Sequence, residues 1–318
     1  MQLRDIEYVV KIAETKNFTQ AAEQLYISQS ALSQSVQRLE NEFRIKLFNR
    51  EPNIVTLTYA GKVFYDESLK ILAQLSRISN QMSDLSQLKY GELHISMPRT
   101  YIKVYVTKVV REFHALYPDV KLLFMEGNSA RTEEYCGKGK AEIGLVCLPV
   151  SSPSLRTIPL FDEPIYLAVP AGHPICQKYP EMIDGEYPML DISQFKDEQF
   201  ILLKGGQRLR DQAIDICKQA GFKPQIIYET VDLETAQEIV SSGMGMSFVS
   251  ETIRMYHGLD TVRYFRIADK EGKPYLRTLA AIYSEDLYLS KGVREFVRIL
   301  KDVCDQTVDG NSHILLYP

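Results

Sequence analysis

Along the first 60 positions the apolar residues recur with helical spacing. Leu3, Ile6, Val10 and Ala13 share one stripe, and Ala21, Ala22 and Leu25 give a compact second helix for which Thr19 is the expected N-cap. After a brief turn through Tyr26 and Ile27, Ser28 is placed to cap a third helix. In that helix Leu32, Val36, Leu39 and Phe43 mark the buried face. Its opposite face carries Ser30, Ser33, Gln34, Gln37 and Asn41, where better helix formers would be expected. Two short helices closely joined, with small alanines at their crossing, form a helix-turn-helix pattern. Two β-prone runs around Glu51-Pro52-Asn53 then predict a hairpin beside it.

From Thr58 to about Leu88 there is no proline, and Ile71, Leu75, Ile78, Met82 and Leu85 step by four and three. This predicts a long helix whose heptad seam suits dimerisation, the alternative being a helix packed on its own domain. Beyond "GELHISMP" the pattern changes to α/β alternation. Strands are expected at Leu93–Met97, Val120–Met125, Ile143–Cys147, Ile165–Val169, Phe200–Leu203, Gln225–Tyr228, Met246–Val249 and Leu279–Tyr283. Helices are expected near Tyr101–Leu116, Arg131–Gly137, Arg208–Ala220, Leu233–Ser242 and Lys291–Cys304. Such alternation implies largely parallel sheets. The four prolines between Val169 and Leu190 suggest a surface crossing between two lobes.

Short hydroxyls and amides on an exposed helix face can hydrogen-bond base edges and phosphates, and Gln can pair with adenine through two bonds. Charge adds little: residues 1–60 carry seven basic and seven acidic side chains. The basic ones are uneven, however, with Arg38, Arg44, Lys46 and Arg50 gathered at the end of the third helix and in the hairpin.

The whole chain has 318 residues, 45% hydrophobic and 25% charged, with a formal net charge of −4. Those values suit a soluble protein of two or three domains. Its five dispersed cysteines read as reduced thiols. The first residues lack the features of a signal peptide, and no apolar run is long enough for a membrane helix, so a cytoplasmic protein is expected. His94, His114, His173, His257 and His313 fall into no metal-binding spacing, and there is neither a GxSxG elbow nor a P-loop. An enzyme is therefore not expected, nor a metal or cofactor.

The run from Phe18 through Ala21-Ala22, Leu25, Ser28-Gln29, Ser33, Leu39-Glu40, Leu47-Phe48 and Arg50 to Leu57-Thr58 and Ala60-Gly61 strongly resembles the N-terminal domain of LysR-type transcriptional regulators. The remainder is similar in architecture. The resemblance implies a winged helix-turn-helix at 1–58, a linker helix at 59–88 and a two-lobed α/β effector domain, similar to periplasmic binding proteins, at 89–305. Lobe I would comprise about 89–162 and 268–305, lobe II about 163–267, with a tail at 306–318. It further implies a homodimer or homotetramer on double-stranded DNA, controlled by a small-molecule effector and acting with RNA polymerase. Gln29, Ser30, Ser33, Gln34, Arg38, Arg50 and Asn53 would face DNA, Ser33 and Gln34 reading bases. Two departures stand out: Arg44 where the family has glycine, and Pro52-Asn53 where the wing tip is often rich in arginine.

By position, the effector cleft would be lined by Arg99, Thr100, Asn128, Ser129, Lys204, Gly205, Gly206 and Gln207, with Gly243 and Gly245 at a nearby turn. Such strand ends and helix N-termini favour an anion, such as a carboxylate. The alternative is a small-molecule-binding module whose first domain serves mainly to dimerise.

Overall fold

Val9, Ile12, Ala21, Ala22, Leu32, Val36 and Leu39 are buried against one another, and this shared core is what holds three helices too short to persist alone. They are α1 Leu3–Thr15, α2 Phe18–Gln24 and α3 Gln29–Phe43. The computed structural model describes residues 1–51, 54–85, 91–179, 181–183, 186–269, 271–286, 288–308 and 315–316. The chain divides into two units, one built on Met1–Met82 with Lys138–Lys140 and the other on the rest.

In the first unit α2 begins two residues earlier than the sequence suggests. Asn17, not Thr19, is its N-cap, with Oδ1 accepting from the N–H groups of Thr19 at 2.8 Å and Gln20 at 3.1 Å. Starting there puts Phe18 on the buried face with Ala21 and Ala22, edge-on to Phe48. Ser28 caps α3 as expected, accepting from Ala31 N–H at 3.2 Å. Arg44 ends that helix in a left-handed conformation (φ 55, ψ 34), which costs a non-glycine residue about 1 kcal/mol.

Glu40, near the end of α3, is buried and joins that helix to the hairpin that follows. Its carboxylate accepts from Leu47 N–H at 2.8 Å and Phe48 N–H at 3.3 Å and pairs with Lys46 at 2.8 Å. Burial opposes its ionisation, but these donors outweigh burial and hold the carboxyl below its usual range.

The hairpin is β1 Phe48–Glu51 paired antiparallel with β2 Ile54–Leu57, a small wing. Thr58 then starts α4 Tyr59–Leu85, its hydroxyl accepting from Gly61 N–H at 2.9 Å. A Cβ at Gly61 would lie 1.9 Å from the Leu47 carbonyl oxygen, so only glycine lets the helix approach the wing this closely. α4 is about 40 Å long. Of its heptad seam, Ile71, Leu75, Ile78 and Met82 are between 39% and 56% exposed. The side chain of Leu85 lies outside the described residues.

In the second unit, β3 Gly91–Met97 leads into α5 Arg99–Tyr101, a π turn at Ile102–Val106 and α6 Thr107–Leu116, one continuous helical stretch. β4 Val120–Glu126, α7 Ser129–Gly137 and β5 Ile143–Cys147 follow, and β3 pairs in parallel with both neighbours. β6 Leu155–Pro170 is a 16-residue strand. After it come α8 Ile175–Lys178, β7 Met189–Asp191, a 3-10 turn, β8 Gln199–Leu203, α9 Arg208–Gln219, β9 Gln225–Thr230 and α10 Leu233–Ser241. β10 Ser247–Ser250, α11 Glu251–Tyr256, β11 Val262–Ala268, β12 Leu276–Ser284 and α12 Lys291–Val308 complete it, with β13 Leu315–Leu316 paired to Phe161 and Asp162.

β6 belongs to two lobes at once. Its first part, Leu155–Pro164, pairs antiparallel with β12, and from Ile165 it pairs antiparallel with β10 and β11. One core gathers Ile95, Phe113, Phe161 and Phe296; another gathers Leu167, Phe200, Phe248 and Phe265. The parallel sheets expected from the sequence are therefore only half the account: β12 is antiparallel to β5 and β6, and β6 is antiparallel to β10 and β11, while β3 with β4 and β5, β7 with β11, and β8 with β9 are parallel. The crossing between lobes is β6 itself, and the described ends of the proline-rich stretch, residues 169–170 and 188–190, both lie against β11 of lobe II. β11 carries Arg263 and Arg266 among buried neighbours, which broke the apolar run that would have revealed it.

Candidate functional sites

The outer face of α3 presents Gln29, Ser30, Gln34, Gln37 and Arg38 to solvent, while Ser33 is half-buried. Their arrangement follows from Leu32, Val36 and Leu39 taking the inner face. Ser28 and Ser30 hydroxyls lie 3.1 Å apart at the head of the helix. Arg38 is exposed yet tethered: its Nη2 donates to Asp5 Oδ1 at 2.9 Å, an oxygen that also accepts from the Ser35 hydroxyl at 2.9 Å. Burial opposes ionisation of Asp5, but Gln2 N–H, Ser35 and Arg38 together hold its carboxyl below the usual range. The tether fixes the guanidinium of Arg38 at the rim of the helix face. Arg50 lies on β1, opposite Val55, and its side chain is outside the described residues, as is all of Asn53.

In the second unit four strand-to-helix junctions meet. They follow β3, β4, β8 and β9, two from each lobe, and they line a cavity of about 310 Å³. Arg99, Thr100, Asn128, Gly205 and Gln207 are in its wall, with Glu126, Val231 and Asp232. A deeper recess of about 50 Å³ shares part of that wall and adds Ser129, Tyr101, Cys147, Arg208 and Arg277.

The junctions differ in what their backbone can still do. Asn128 Oδ1 accepts from Arg131 N–H at 2.9 Å, and Asp232 Oδ2 accepts from Thr235 N–H at 3.1 Å, so α7 and α10 are capped by their own chain. Pro98 and Gln207 make no side-chain cap for α5 and α9. Gln207 instead donates to the Val231 carbonyl at 2.6 Å, binding two loops of lobe II together. The uncapped ends, one from each lobe, are where backbone N–H groups favour an anion.

Lys204 and Gly206 do not line the cavity, although Gly206 comes close: a Cβ there would lie 3.1 Å from Asn128 Nδ2. Lys204 is exposed, and its N–H donates to Thr230. Gly243 and Gly245 lie elsewhere. Gly245 packs on the carbonyl of Gln199, at the opposite end of β8 from Leu203, and its Cβ would come within 2.7 Å of that oxygen. Gly243 takes φ 84 to end α10. Both glycines answer packing and turn needs at a distance from the cleft.

Residues that the sequence did not single out form the floor. Arg277 is 7% exposed and Glu163 fully buried. Arg277 Nε donates to Glu163 Oε1 at 2.7 Å and its Nη2 to the Tyr101 hydroxyl at 2.8 Å. Glu163 Oε2 accepts from Thr252 N–H at 2.7 Å and from its hydroxyl at 2.6 Å. Tyr101 also lies 3.1 Å from Cys147 Sγ. The network joins β6, β12 and α5 to α11, which is to say one lobe to the other. Arg208 makes a second tie, from α9 to Glu133 on α7 at 2.8 Å, and its Nε is buried without a hydrogen-bond partner.

All five cysteines are buried and unbridged. Burial pushes the thiols of Cys136 and Cys217 up to about 12 and raises those of Cys147 and Cys176 as well. Among the described residues no group of His, Cys, Asp and Glu could hold a metal ion, and no helix is long and apolar enough to cross a membrane.

Two family models match the chain: the bacterial regulatory helix-turn-helix protein of the lysR family over residues 3–62, and the LysR substrate binding domain over residues 86–305. An uncharacterised HTH-type transcriptional regulator of Bacillus subtilis, YcgK, is 29% identical, with 97% of each chain covered. A hydrogen peroxide-inducible genes activator of Haemophilus influenzae is 26% identical over 98% of this chain and 99% of that one. In fold, the chain resembles a full-length OxyR variant from Pseudomonas aeruginosa, with a TM-score of 0.71 and 24% identity over 95% and 94% of the two chains. CbnR in complex with its target DNA gives a TM-score of 0.66 at 20% identity, over 95% of this chain and all of that one.

Proposed function

Because the chain belongs to the LysR family of DNA-binding transcriptional regulators with an effector-binding domain, we propose that α3 reads operator sequence and that an anion in the inter-lobe cavity controls the result. The observation that carries the first half is the polar face of α3. Gln29, Ser30, Ser33 and Gln34 are short or amide side chains suited to the major groove, and Gln34 stands at its exposed centre. Arg38, held by Asp5, meets a phosphate, and Arg50 with Asn53 guides the wing toward the neighbouring groove. Residues 1–58 form the reading domain, 59–88 the dimerising helix, 89–305 the effector domain, and 306–318 a tail. The seam of Ile71, Leu75, Ile78, Met82 and Leu85 joins two copies, which are the base of a dimer or tetramer acting in the cytoplasm. Contact with RNA polymerase would convert DNA occupancy into transcription, with no catalytic step by this protein.

The effector half rests on the uncapped helix starts at α5 and α9. Arg99, Thr100, Asn128 and Ser129 come to the cavity from one lobe, and Gly205, Gln207 and Arg208 from the other. A small anion there gains the free N–H groups and the unpartnered Nε of Arg208, and it touches both lobes at once. By population-shift logic it selects whichever lobe arrangement it fits better. Some relatives are named for hydrogen peroxide, but oxidation of a thiol needs an accessible thiolate, and burial of all five cysteines, with raised thiol pKa at Cys136, Cys147, Cys176 and Cys217, disfavours that route here.

Thermal unfolding in a panel of small mono- and dicarboxylates and phosphate, at matched ionic strength, tests this reading. At least one anion is expected to raise Tm with a saturable dose dependence, as binding to the native state requires. Arg208→Met is expected to abolish that rise. A response only to hydrogen peroxide, unchanged by Arg208→Met, would contradict it.

A further inference from the structure

Tyr26 is 96% exposed, the highest value among the exposed large hydrophobic side chains of the described residues. It stands in the turn between α2 and α3 with a left-handed backbone, φ 55. The Ile27 N–H donates to the Ala22 carbonyl at 3.1 Å across it, so Tyr26 occupies the position after a helix where glycine or asparagine is normally found. An aromatic ring there loses twice. The backbone is strained for a residue with a Cβ, and the ring covers no apolar surface. Among the described residues, neither the core of the first unit nor its hydrogen bonds make use of the side chain.

Its surroundings say what could use it. Two residues on, Ser28 begins α3, and the hydroxyls of Ser28 and Ser30 and the amide of Gln29 are all exposed at that end. Ser28 caps only the Ala31 N–H, so the head of a 15-residue helix keeps polar hydrogens turned outward. Tyrosine hydroxyls are among the groups that bond phosphate oxygens in protein–DNA interfaces, and such contacts set the register of a reading helix without reading sequence.

We propose that Tyr26 is a positioning residue for DNA: its hydroxyl donates to a phosphate oxygen on the strand bordering the groove that α3 enters. This rests on α3 being the reading helix. The strain and exposure at the turn are then the structural cost of a contact made only in the complex.

Three variants test it, by fluorescence anisotropy on the duplex that a binding-site selection enriches and on a scrambled duplex, each in a salt series. Tyr26→Phe keeps the ring and removes the hydroxyl. It is expected to weaken binding about five-fold per half-site on both duplexes, the worth of one neutral hydrogen bond. The salt slope should stay unchanged, because the hydroxyl carries no charge and releases no counterion. Tyr26→Asn relieves the backbone, so Tm is expected to rise by about 4 °C while binding weakens at least as much. Gln34→Ala serves as the reference, expected to erase the preference for the enriched duplex. If Gln34→Ala erases that preference while Tyr26→Phe binds like the parent, the Tyr26 contact is overturned and the reading helix stands. If neither variant differs from the parent, both are overturned.

Discussion

Arg277→Ala is expected to lower the melting temperature of the effector unit by about 10 °C, the largest effect of any single substitution considered. The variant removes the guanidinium that faces Glu163 and leaves a carboxylate with no exposed surface and only Thr252 and Tyr101 as partners. An uncompensated buried charge of this kind costs about 3–5 kcal/mol. At about 2–4 °C per kcal/mol for a domain of this size, the shift follows. The double variant Arg277→Met with Glu163→Gln is expected to recover most of the loss, since it removes the stranded charge with its partner. Thermal unfolding followed by circular dichroism reads both. A fall of less than about 2 °C for Arg277→Ala would mean that water reaches Glu163 and that the floor of the cleft is open.

The second large effect belongs to α4. Leu75→Asp combined with Ile78→Asp is expected to give a monomer by sedimentation and to reduce operator affinity by about 10²–10⁴. Both side chains are exposed on the isolated chain, so the winged unit loses no packing of its own. What is lost is the linkage of two reading heads. A bivalent protein binds its second half-site at an effective concentration set by the connection, and a monomer forgoes that gain. If the variant stays dimeric with unchanged affinity, the effector unit, not the seam, holds the copies together.

Some of this was legible in the sequence because the signals were local. The face of α3, the Ser28 cap, the hairpin and the unbroken α4 each depend on residues within a few turns of one another, and the period of apolar positions exposes them. Thr19 was misleading because hydroxyl and amide caps compete on near-equal terms, and burial of Phe18 decided for Asn17. The first part of β6 was hidden by Pro159 and Pro164, which argue against a strand unless the partner tolerates them. Pro159 sits where the register with β12 shifts, between Leu279 and Ala280.

The cleft was legible in outline and not in its chemistry. Arg99, Thr100, Asn128, Ser129, Gly205 and Gln207 could be placed by the rule that ligands gather at strand C-termini. Lys204 looked like the cation of lobe II, yet it points its backbone at Thr230 while Arg208, four residues later, lines the recess. The floor could not be read at all. Tyr101, Glu163 and Arg277 are separated by 62 to 176 positions, and each alone looks like an ordinary polar residue in a helix or strand. Only the antiparallel pairing of β6 with β12 brings them together. Gly243 and Gly245 show the converse, since a glycine turn near a cleft in a pattern can serve packing alone.

The central claim is that α3 reads sequence through its polar face, and a binding-site selection tests it most directly. Full-length protein and the Gln34→Ala variant would each be offered random duplex DNA, with the enriched pools sequenced. The prediction is an interrupted inverted repeat for the parent protein, with specificity lost at one base pair of each half-site in the variant, a change of about 1–3 kcal/mol per contact. Identical motifs from both proteins would contradict it, because Gln34 would then be a solvated residue and the reading surface would lie elsewhere.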